Sequence, residues 1–235
     1  FVQCREDECI GINSQLDLSI AERKFQDNFR ERLMASGVSM QSPETCFFSY
    51  DTIIKSGCII EPNVFFGTGV KIQSSTIIKS YSHIEGTHIG RHCQIGPFAR
   101  LRPGTNLLEE VKIGNFVEVK NTTLASKAKA NHLTYIGDAK VGAHTNIGAG
   151  TIFCNYDGKN KHLSVVGDNV FIGSNASLIA PLKIGDASIV AAGSVINRDV
   201  PSESLAIARP IQQNKLGLGK KIMLNLRKVA DKIRK

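Results

Sequence analysis

Histidine is the side chain best suited to moving a proton near neutral pH, and one of the six histidines of this sequence, His132, lies in the segment "NHLTYIGD". An imidazole has an ordinary pKa of about 6.5, so its neutral form accepts a proton readily under these conditions. From its spacing alone, His132 could be a packed or solvated ring, a metal ligand or a general base, and an ordinary surface or coil-corner histidine is favoured. Its role depends on what the surrounding chain builds.

A repeat with a period of six residues dominates the chain around His132. Neither a helix, with its period of about 3.6, nor an ordinary strand, with its period of about 2, produces such a pattern. Many of the repeating aliphatic residues are followed directly by Gly. The positions are Ile54, Ile60, Phe66, Ile72, Ile78, Ile84, Ile89, Ile95, Leu101, Leu107, Ile113, Val119, Val141, Ile147, Phe153, Val166, Ile172, Leu178, Ile184, Val190 and Ile196.

This period predicts an all-β solenoid with triangular coils. Each side of the triangle takes one hexad, and one aliphatic side chain per side points to the axis and stacks on its equivalents in the next coil. A coil then needs about 18 residues, so roughly eight to nine coils fit between Asp51 and Arg198. Gly after the inward residue indicates a tight corner with little room for a side chain.

Two segments depart from the repeat. Between Leu124 and Ile136, which includes His132, no clean aliphatic corner is visible. Between Phe153 and Val166, the polar stretch "CNYDGKNKHLSV" is too long for a turn and predicts a projecting loop. Because loops on rigid scaffolds often carry binding groups, both segments are candidates for function.

Potential metal ligands elsewhere give a weaker pattern. His83 and His88 are five residues apart, as in solenoid carbonic anhydrases that hold zinc between subunits, but a third ligand usually lies two coils away and His92 follows after only four residues. We therefore expect solvated surface histidines. The six cysteines are scattered without a CxxC pair, which favours free thiols and argues against a zinc site.

Helices are predicted on both sides of the solenoid. Ser19 and Glu22 have the spacing of a capping box, and an apolar stripe follows at Ala21, Phe25, Phe29 and Leu33. This helix needs an upstream domain or a partner chain to cover its stripe. Near the other end, a second stripe predicts a basic helix, at Ile222, Leu226, Val229 and Ile233.

Charge and hydropathy limit the classes of partner. The net charge is +8, but residues 210–235 contain eight Lys or Arg against one acid, so the rest of the chain is near neutral. This tail, which lacks stacking aromatics, is expected to be a solvated helix face, and no nucleic-acid partner is predicted. The chain shows no apolar run of about 20 residues and no signal segment, so we expect a cytoplasmic protein without membrane insertion.

Four segments occur in a fixed order: "IGPFARLRPG" (95–104), "IGNFVEVK" (113–120), "NHLTYIGDA" (131–139) and "NIGAGTIFCNYDGKNKH" (146–162). Together they resemble the acetyltransferase half of the bacterial bifunctional N-acetylglucosamine-1-phosphate uridyltransferase / glucosamine-1-phosphate N-acetyltransferase family. The resemblance, which runs from about residue 11 to 209, implies a left-handed parallel β-helix and a homotrimer with active sites between subunits. It also implies acetyl-CoA-dependent N-acetylation of glucosamine 1-phosphate, a step toward cell-envelope precursors.

The same resemblance assigns roles to individual residues. His132 falls at the general base, Arg102, Lys120 and Lys161 at positions that bind the sugar's phosphate, and Tyr135 and Asn146 at sugar contacts. The implied acetyl-CoA contacts are Ala149, Asn155, Tyr156, Ser174, Ala192 and Arg209. The residue types suit this chemistry, because the amine must lose a proton before it attacks a thioester and a guanidinium fork matches phosphate oxygens.

The expected organisation has four parts: a remnant of an upstream nucleotidyltransferase domain (1–18), a linker helix (19–37), the β-helix acetyltransferase domain (38–209) and a basic tail (210–235). In the remnant, Gly11-Ile12-Asn13 resembles the family segment whose Asn ligates Mg²⁺. Without the partner Asp and the nucleotide pocket, Asn13 is expected to be vestigial, and no uridyltransferase activity is predicted for this chain.

Two other functions stay open at this point. One is a different solenoid acyltransferase, with another acceptor or a longer acyl chain. The other is a non-catalytic trimeric scaffold or metal-binding solenoid, in which Arg102 and Lys120 would be ordinary surface charges.

Overall fold

The chain forms a parallel β-solenoid with one helix on each side. The structure is a computed structural model that describes residues 11–233, with side chains described as far as residue 230. Helix α1 spans Gln15–Ala35 and helix α2 spans Leu218–Ile233. Within the described range, neither helix combines the length and the apolar character that crossing a bilayer requires. Residues 1–10, which form most of the predicted upstream remnant, lie outside the described residues.

The strands of the solenoid are short, and most contain two or three residues. In chain order they are β1 Ser39–Met40, β2 Phe47–Phe48, β3 Ile53–Ile54, β4 Ile59–Ile60, β5 Phe65–Phe66, β6 Lys71–Ile72, β7 Ile77–Ile78, β8 His83–Ile84, β9 Thr87–Ile89, β10 Gln94–Ile95, β11 Arg100–Leu101, β12 Thr105–Leu107, β13 Lys112–Asn115, β14 Glu118–Leu124, β15 Lys129–His132, β16 Tyr135–Val141, β17 Asn146–Ile147, β18 Ile152–Cys154, β19 Ser164–Val166, β20 Phe171–Ile172, β21 Ser177–Ile179, β22 Leu182–Ile184, β23 Ile189–Val190, β24 Val195–Ile196 and β25 Leu205–Ala206.

These strands stack into three faces. The first face contains ten strands in the order β1-β4-β7-β10-β13-β15-β17-β20-β23-β25. The second runs through β2, β5, β8 and β11, and the third through β3, β6, β9 and β12. The longer strands β14 and β16 bend around a corner and pair with strands of both the second and the third face. Each coil therefore contributes one short strand to each face.

The interior is filled as the repeat predicts. All of the predicted inward residues are buried, and many are fully buried, including Ile60, Phe66 and Leu101. Burying such a side chain contributes roughly 1.5–3 kcal/mol relative to leaving it exposed. The predicted all-β solenoid of hexapeptide repeats is confirmed.

The coil that contains His132 keeps the repeat, contrary to our expectation of a gap there. Ala130 is fully buried and pairs with Ile113 in the previous coil and Ile147 in the next. The aliphatic pattern misses this position because its inward residue is Ala rather than a larger side chain. Space is short at this level, since a Cβ on Gly114 would collide with the carbonyl of Asn131.

Helix α1 begins four residues before the predicted capping box. The Ser14 hydroxyl accepts a hydrogen bond from the Asp17 backbone N–H at 3.1 Å, and the Asp17 carboxylate accepts one from the Asn13 N–H at 3.1 Å. Contact with the Ser14 side chain, followed by the hydrogen bond from the Asn13 N–H, holds the pKa of the Asp17 carboxyl below its ordinary value. Because this earlier Ser-x-x-Asp pair caps the helix, Ser19 lies inside α1, and the predicted start at residue 19 is wrong.

The apolar stripe of α1, for which we predict cover from an upstream domain or a partner chain, packs partly on the solenoid itself. The Phe29 ring stacks on Phe48 with centroids 5.3 Å apart, and Phe48 stacks on Phe66 at 4.9 Å. The side-chain amide of Gln26 donates to the Phe48 carbonyl at 2.8 Å and accepts from the Phe48 N–H at 2.9 Å. The helix therefore closes the first coil of the solenoid, while the apolar residues of its first turns stay exposed.

Replacing Phe29 with Ala should release α1 from this end of the solenoid. Phe29 is 2% exposed, and truncating a buried Phe usually costs about 3–5 kcal/mol. We expect the Phe48 amide, which is hydrogen-bonded to Gln26, to exchange its proton with solvent much faster in the variant.

The matched control is Phe25→Ala. Phe25 is also on α1, with its ring 5.6 Å from that of Phe29, but it is 36% exposed and should cost far less. Equal exchange rates of the Phe48 amide in the two variants would contradict the assigned packing.

Candidate functional site

One corner of the solenoid carries His132 and continues through the following coils. His132 ends β15, and its carbonyl accepts a hydrogen bond from the Gly150 N–H at 3.3 Å. The ladder continues from the Asn175 N–H to the Ala149 carbonyl and from the Gly193 N–H to the Ser174 carbonyl, each at 2.8 Å. His132, Ala149 and Ser174 therefore occupy equivalent positions on successive coils. We call this line of residues, with Ala192, the His132 corner.

The far end of the His132 corner is closed by a cation. The Arg209 guanidinium donates to the Ala192 carbonyl at 2.9 Å, and its side chain is exposed. The side chains of Ala149, Ser174 and Ala192 are small, so they leave a shallow groove along the corner between His132 and Arg209. The structure thus brings four of the six predicted acetyl-CoA positions into one line with the predicted base.

The imidazole of His132 is oriented by a neighbour that sequence reasoning did not assign. Nδ1 of His132 lies 2.7 Å from Oδ1 of Asn115, which occupies the same position in the preceding coil. An amide carbonyl can only accept, so this contact places the proton on Nδ1 and leaves Nε2 with a free lone pair. The ring is exposed, and Nε2 is available to take a proton from a bound molecule.

Three cations gather at the next corner, where β14 and β16 bend. Lys120 pairs with Gly137 in the register of these strands. The backbone N–H of Arg102 donates a hydrogen bond to the Val119 carbonyl at 2.9 Å. Contact with the Lys161 side chain, followed by partial loss of solvent, holds the pKa of Lys120 below its ordinary value, and the charge of Arg102 acts in the same direction. We call Arg102, Lys120 and Lys161 the cation cluster.

Two carboxylates face the cation cluster. The Arg102 guanidinium donates to Glu118 at 2.8 Å, while its Nε is buried without a hydrogen-bond partner. Asp138 accepts hydrogen bonds from the side-chain amides of Asn121 and Asn155. Burial acts to raise the pKa of Asp138, but these two hydrogen bonds and the charges of Lys120 and Lys161 outweigh it and hold the pKa low. Asp138 therefore stays ionised and helps to hold the two lysines.

Tyr135 lies between the His132 corner and the cation cluster. It starts β16 and pairs with Glu118 in the register of β14. A Cβ on Gly137 would collide with the Tyr135 hydroxyl and the Asn155 amide, so the tyrosine side chain lies directly over Gly137. The segment Tyr135-Ile136-Gly137 therefore needs Gly at its third position to let the phenol reach the cations.

Lys161 reaches the cluster from the projecting loop that the polar stretch predicted. The loop folds back on itself, with an antiparallel bridge between Tyr156 and Lys161. The Asp157 carboxylate accepts hydrogen bonds from His162 Nε2 at 2.6 Å and from the backbone N–H groups of Lys159 and Asn160. These bonds, the one from His162 first, lower the pKa of Asp157. An ionised Asp157 thus organises the loop that presents Lys161.

Two of the predicted acetyl-CoA positions lie near the cation cluster, away from the His132 corner. Asn155 is 5% exposed, with its amide directed at Asp138. Tyr156 is exposed in the projecting loop, where its hydroxyl donates to the Gly158 carbonyl.

Asn146, one of the two predicted sugar contacts, lies on a different face from Tyr135. It starts β17 on the ten-stranded face and pairs with Lys129 and Phe171. Tyr135, the other predicted sugar contact, lies on the second face, and the His132 corner separates the two. A single copy of the chain therefore does not bring Asn146 and Tyr135 around one pocket.

The predicted metal positions show no ligand cluster. Asn13 is exposed ahead of α1, which packs at the first coil of the solenoid and far along the axis from His132. His83, His88 and His92 are exposed, and His83 stacks on Phe65 with ring centroids 4.8 Å apart. Among the described side chains, residues 11–230, no three His, Cys, Asp or Glu side chains are grouped so as to hold a metal ion. The described cysteines, Cys46, Cys58, Cys93 and Cys154, are free thiols as predicted.

Comparison with known proteins supports the fold and identifies relatives. The family model for the bacterial transferase hexapeptide (six repeats) matches residues 164–198. The "Bifunctional protein GlmU" of Bartonella quintana is 51% identical over 220 residues, which cover 94% of this chain and 49% of that protein. The protein of the same name from Wolbachia pipientis wMel is 54% identical over 209 residues, 89% of this chain and 49% of that protein. The chain spans about half the length of the curated relatives it matches.

A solved structure shares the fold at low sequence identity. LpxA from Acinetobacter baumannii superposes with a TM-score of 0.58 and 20% identity, covering 73% of this chain and 71% of that chain. This likeness concerns the solenoid alone.

Proposed function

Because the chain is homologous along nearly all of its length to one half of the bacterial GlmU proteins, we propose that it transfers the acetyl group of acetyl-CoA to the amine of glucosamine 1-phosphate. The observation that carries this proposal is the pairing of His132 Nδ1 with Asn115 Oδ1 at 2.7 Å, which leaves Nε2 free on the corner shared with Ala149, Ser174 and Ala192. A base and a shallow groove along the same edge suit acetyl-CoA, whose extended pantetheine arm could lie in the groove with its thioester beside the sugar amine.

In this proposal, Nε2 of His132 takes a proton from the sugar amine as the amine attacks the thioester carbonyl. A carbon–nitrogen bond forms, the tetrahedral intermediate collapses, and the carbon–sulfur bond breaks. The imidazolium returns its proton to the departing CoA thiolate, so the histidine ends the cycle neutral. The Asn115 carbonyl stabilises the imidazolium through its contact with the Nδ1 proton.

The cation cluster is proposed to bind the phosphate of the acceptor. The Arg102 side chain is one third exposed, and Lys161 lies close enough to Lys120 to disfavour the charge of Lys120. A dianionic phosphate would relieve this repulsion and accept charge-assisted hydrogen bonds from all three groups. Tyr135, which lies between the cluster and His132, would contact the sugar ring. The three coenzyme-side residues Ala149, Ser174 and Ala192, with Arg209, would line the pantetheine arm and its phosphates.

We further propose a homotrimer in which a neighbouring copy completes the site. Asn146 lies on a different face from Tyr135. The two residues can contact the same sugar only if Asn146 of one chain lies opposite Tyr135 of a second chain. An exposed ridge supports this, since Tyr81, Phe98 and Phe116 stack at 5.0 and 5.2 Å on the corner below Leu133. Light scattering coupled to size-exclusion chromatography tests the homotrimer, and a monomer with full activity would contradict it.

A CoA-release assay tests the acceptor and the donor together. We expect turnover with acetyl-CoA and glucosamine 1-phosphate, and lower kcat/KM with glucosamine, with other amino sugars and with longer acyl donors. Equal rates across the amino sugars would contradict the assigned phosphate site.

The same preparation, given UTP, Mg²⁺ and N-acetylglucosamine 1-phosphate, is expected to form no UDP-sugar, because Asn13 is the one residue we align with uridyl transfer.

Asn115 is proposed as the positioning residue for His132, and its variants separate orientation from folding. Asn115→Ala removes the acceptor for the Nδ1 proton and should lower kcat about tenfold or more with little change in KM. Asn115→Asp keeps an acceptor and adds a negative charge that favours the imidazolium, so the acid limb of the kcat profile should move to higher pH. An unchanged profile in Asn115→Asp would contradict the assigned contact.

A further inference from the structure

Helix α2 carries an apolar face with nothing packed on it. Every described side chain of the helix is exposed. Leu218, Ile222, Leu226 and Val229 follow one another at intervals of three or four residues, so they lie on one side of the helix, and Ile233 continues the same series in the sequence. Met223 and Ala230 lie beside this stripe. The helix is amphipathic, yet its apolar side faces solvent in the single chain.

The opposite side of α2 is basic. Lys220, Lys221, Arg227 and Lys228 lie there. The single acid between residues 210 and 235 is Asp231. Leu224 also projects from this basic side, away from the apolar stripe. A strongly cationic side next to a broad apolar side is the arrangement of helices that lie in the surface plane of a membrane.

The segment before α2 lets the helix reach a surface away from the solenoid. Arg209 is held to the Ala192 carbonyl, and residues 210–217 contain no strand or helix and are exposed. Eight residues can span up to roughly 26 Å when extended. Ile211 and Leu216 in this segment are 92% and 99% exposed, so further apolar groups accompany the helix.

We propose that α2 binds peripherally to a membrane surface rich in anionic phospholipid, with its apolar side at the acyl boundary and its lysines and Arg227 among the headgroups. Charge favours this surface over the alternatives. Packing between copies of α2 would bury the apolar side but leave the basic side unpaired, because the rest of the chain is near neutral. A nucleic acid would use the charges but not the apolar side, and the helix contains no aromatic residue for stacking. An anionic bilayer satisfies both sides at once.

Sedimentation with lipid vesicles tests the proposal on the full chain. We expect binding to vesicles of phosphatidylglycerol and phosphatidylcholine, no binding to phosphatidylcholine alone, and release at high salt. Leu226→Gln should lower the partition coefficient about tenfold by removing a buried side chain from the acyl boundary. The matched control, Leu224→Gln, makes the same chemical change on the basic side and should alter it less than twofold. Lys220→Gln combined with Lys221→Gln should lower binding at least tenfold.

Several outcomes would overturn the proposal. These are no binding to the anionic vesicles, equal binding to phosphatidylcholine, or equal losses for Leu226→Gln and Leu224→Gln. If Leu226→Gln instead changes the oligomeric state and no vesicles are bound, α2 packs between copies of the chain. Tighter binding to a DNA duplex than to the vesicles would assign the helix to nucleic acid. CoA release without vesicles should be the same in all variants, which separates this test from the proposed acetyl transfer.

Discussion

Replacing His132 with Ala is expected to lower kcat for acetyl transfer about 10²–10⁴-fold, the usual contribution of a positioned general base. The fall should be in kcat rather than in KM, because the exposed imidazole acts on the amine, while the cation cluster and the other residues of the His132 corner keep their contacts with bound substrate. The acid limb of the pH profile in the wild-type chain should also disappear from the residual activity, because the group responsible for it is gone. Stopped assays of CoA release over a range of pH measure both effects.

The matched control for this variant is His144→Ala. His144 is exposed on the next coil and belongs to neither the His132 corner nor the cation cluster, so its loss should leave kcat within about twofold of the wild type. Added imidazole should restore part of the activity of His132→Ala, since the cavity left by the ring opens to solvent. Near-normal turnover by His132→Ala would remove the assigned base, whereas an altered oligomeric state or circular dichroism spectrum would show instead that the ring supports the fold.

The solenoid could be predicted from sequence because an inward-facing aliphatic residue recurs in nearly every hexad. One inward aliphatic residue per hexad determines the coil, and errors at single positions, such as the unnoticed Ala130, do not disturb the pattern. The helix start was mispredicted for a local reason, since two Ser-x-x-acid pairs compete within nine residues and the pair at Ser14 forms the cap. Such choices depend on where the preceding chain runs, which the local sequence does not specify.

The turns show a different limit of sequence reasoning. Tyr81, Phe98 and Phe116 have φ of 61°, 55° and 56°, in the left-handed region that residues other than Gly and Asn seldom adopt. Stacking of the rings, at about 0.5–1.5 kcal/mol per pair, offsets part of this conformational cost. Nothing in the local sequence signals a turn at these aromatic residues. The stack exists because successive coils place them directly above one another.

The site was predictable in part for the same reason. The motifs identified His132, Arg102, Lys120 and Lys161, but not Asn115 or Asp138, although both lie within the quoted segments. Their roles come from register: Asn115 precedes His132 by one coil, and Asp138 meets the amides of Asn121 and Asn155 from the coils on either side. A residue that acts on a neighbour about 17 positions away has no local signature, so the coil spacing must be known first.

Replacing Arg102 with Ala is expected to lower kcat/KM for glucosamine 1-phosphate by about 10- to 100-fold, the worth of a charge-assisted hydrogen bond of roughly 1.5–3 kcal/mol. With glucosamine, which lacks the phosphate, the same variant should lose less than about threefold. The difference between the two substrates isolates the contact with phosphate from any effect on folding or on the base. Arg102→Lys should recover only part of the loss, because an ammonium restores the charge but not the planar fork.

Arg100→Ala is the matched control for the cation cluster. Arg100 is nearly adjacent in sequence and also faces Glu118, but at 4.0 Å and with 54% of its side chain exposed, and a surface pair of this kind contributes little. It should therefore leave the ratio of kcat/KM for the two substrates unchanged.

Lys161→Met should behave like Arg102→Ala, and it should also change the titration of Lys120. Removing the Lys161 ammonium relieves the contact that lowers the pKa of Lys120, so Lys120 should titrate at higher pH in the variant. Isotope-edited NMR of the lysine side chains measures that shift, and an unchanged titration of Lys120, or equal losses on both substrates, would mean that the three cations do not act as one phosphate site.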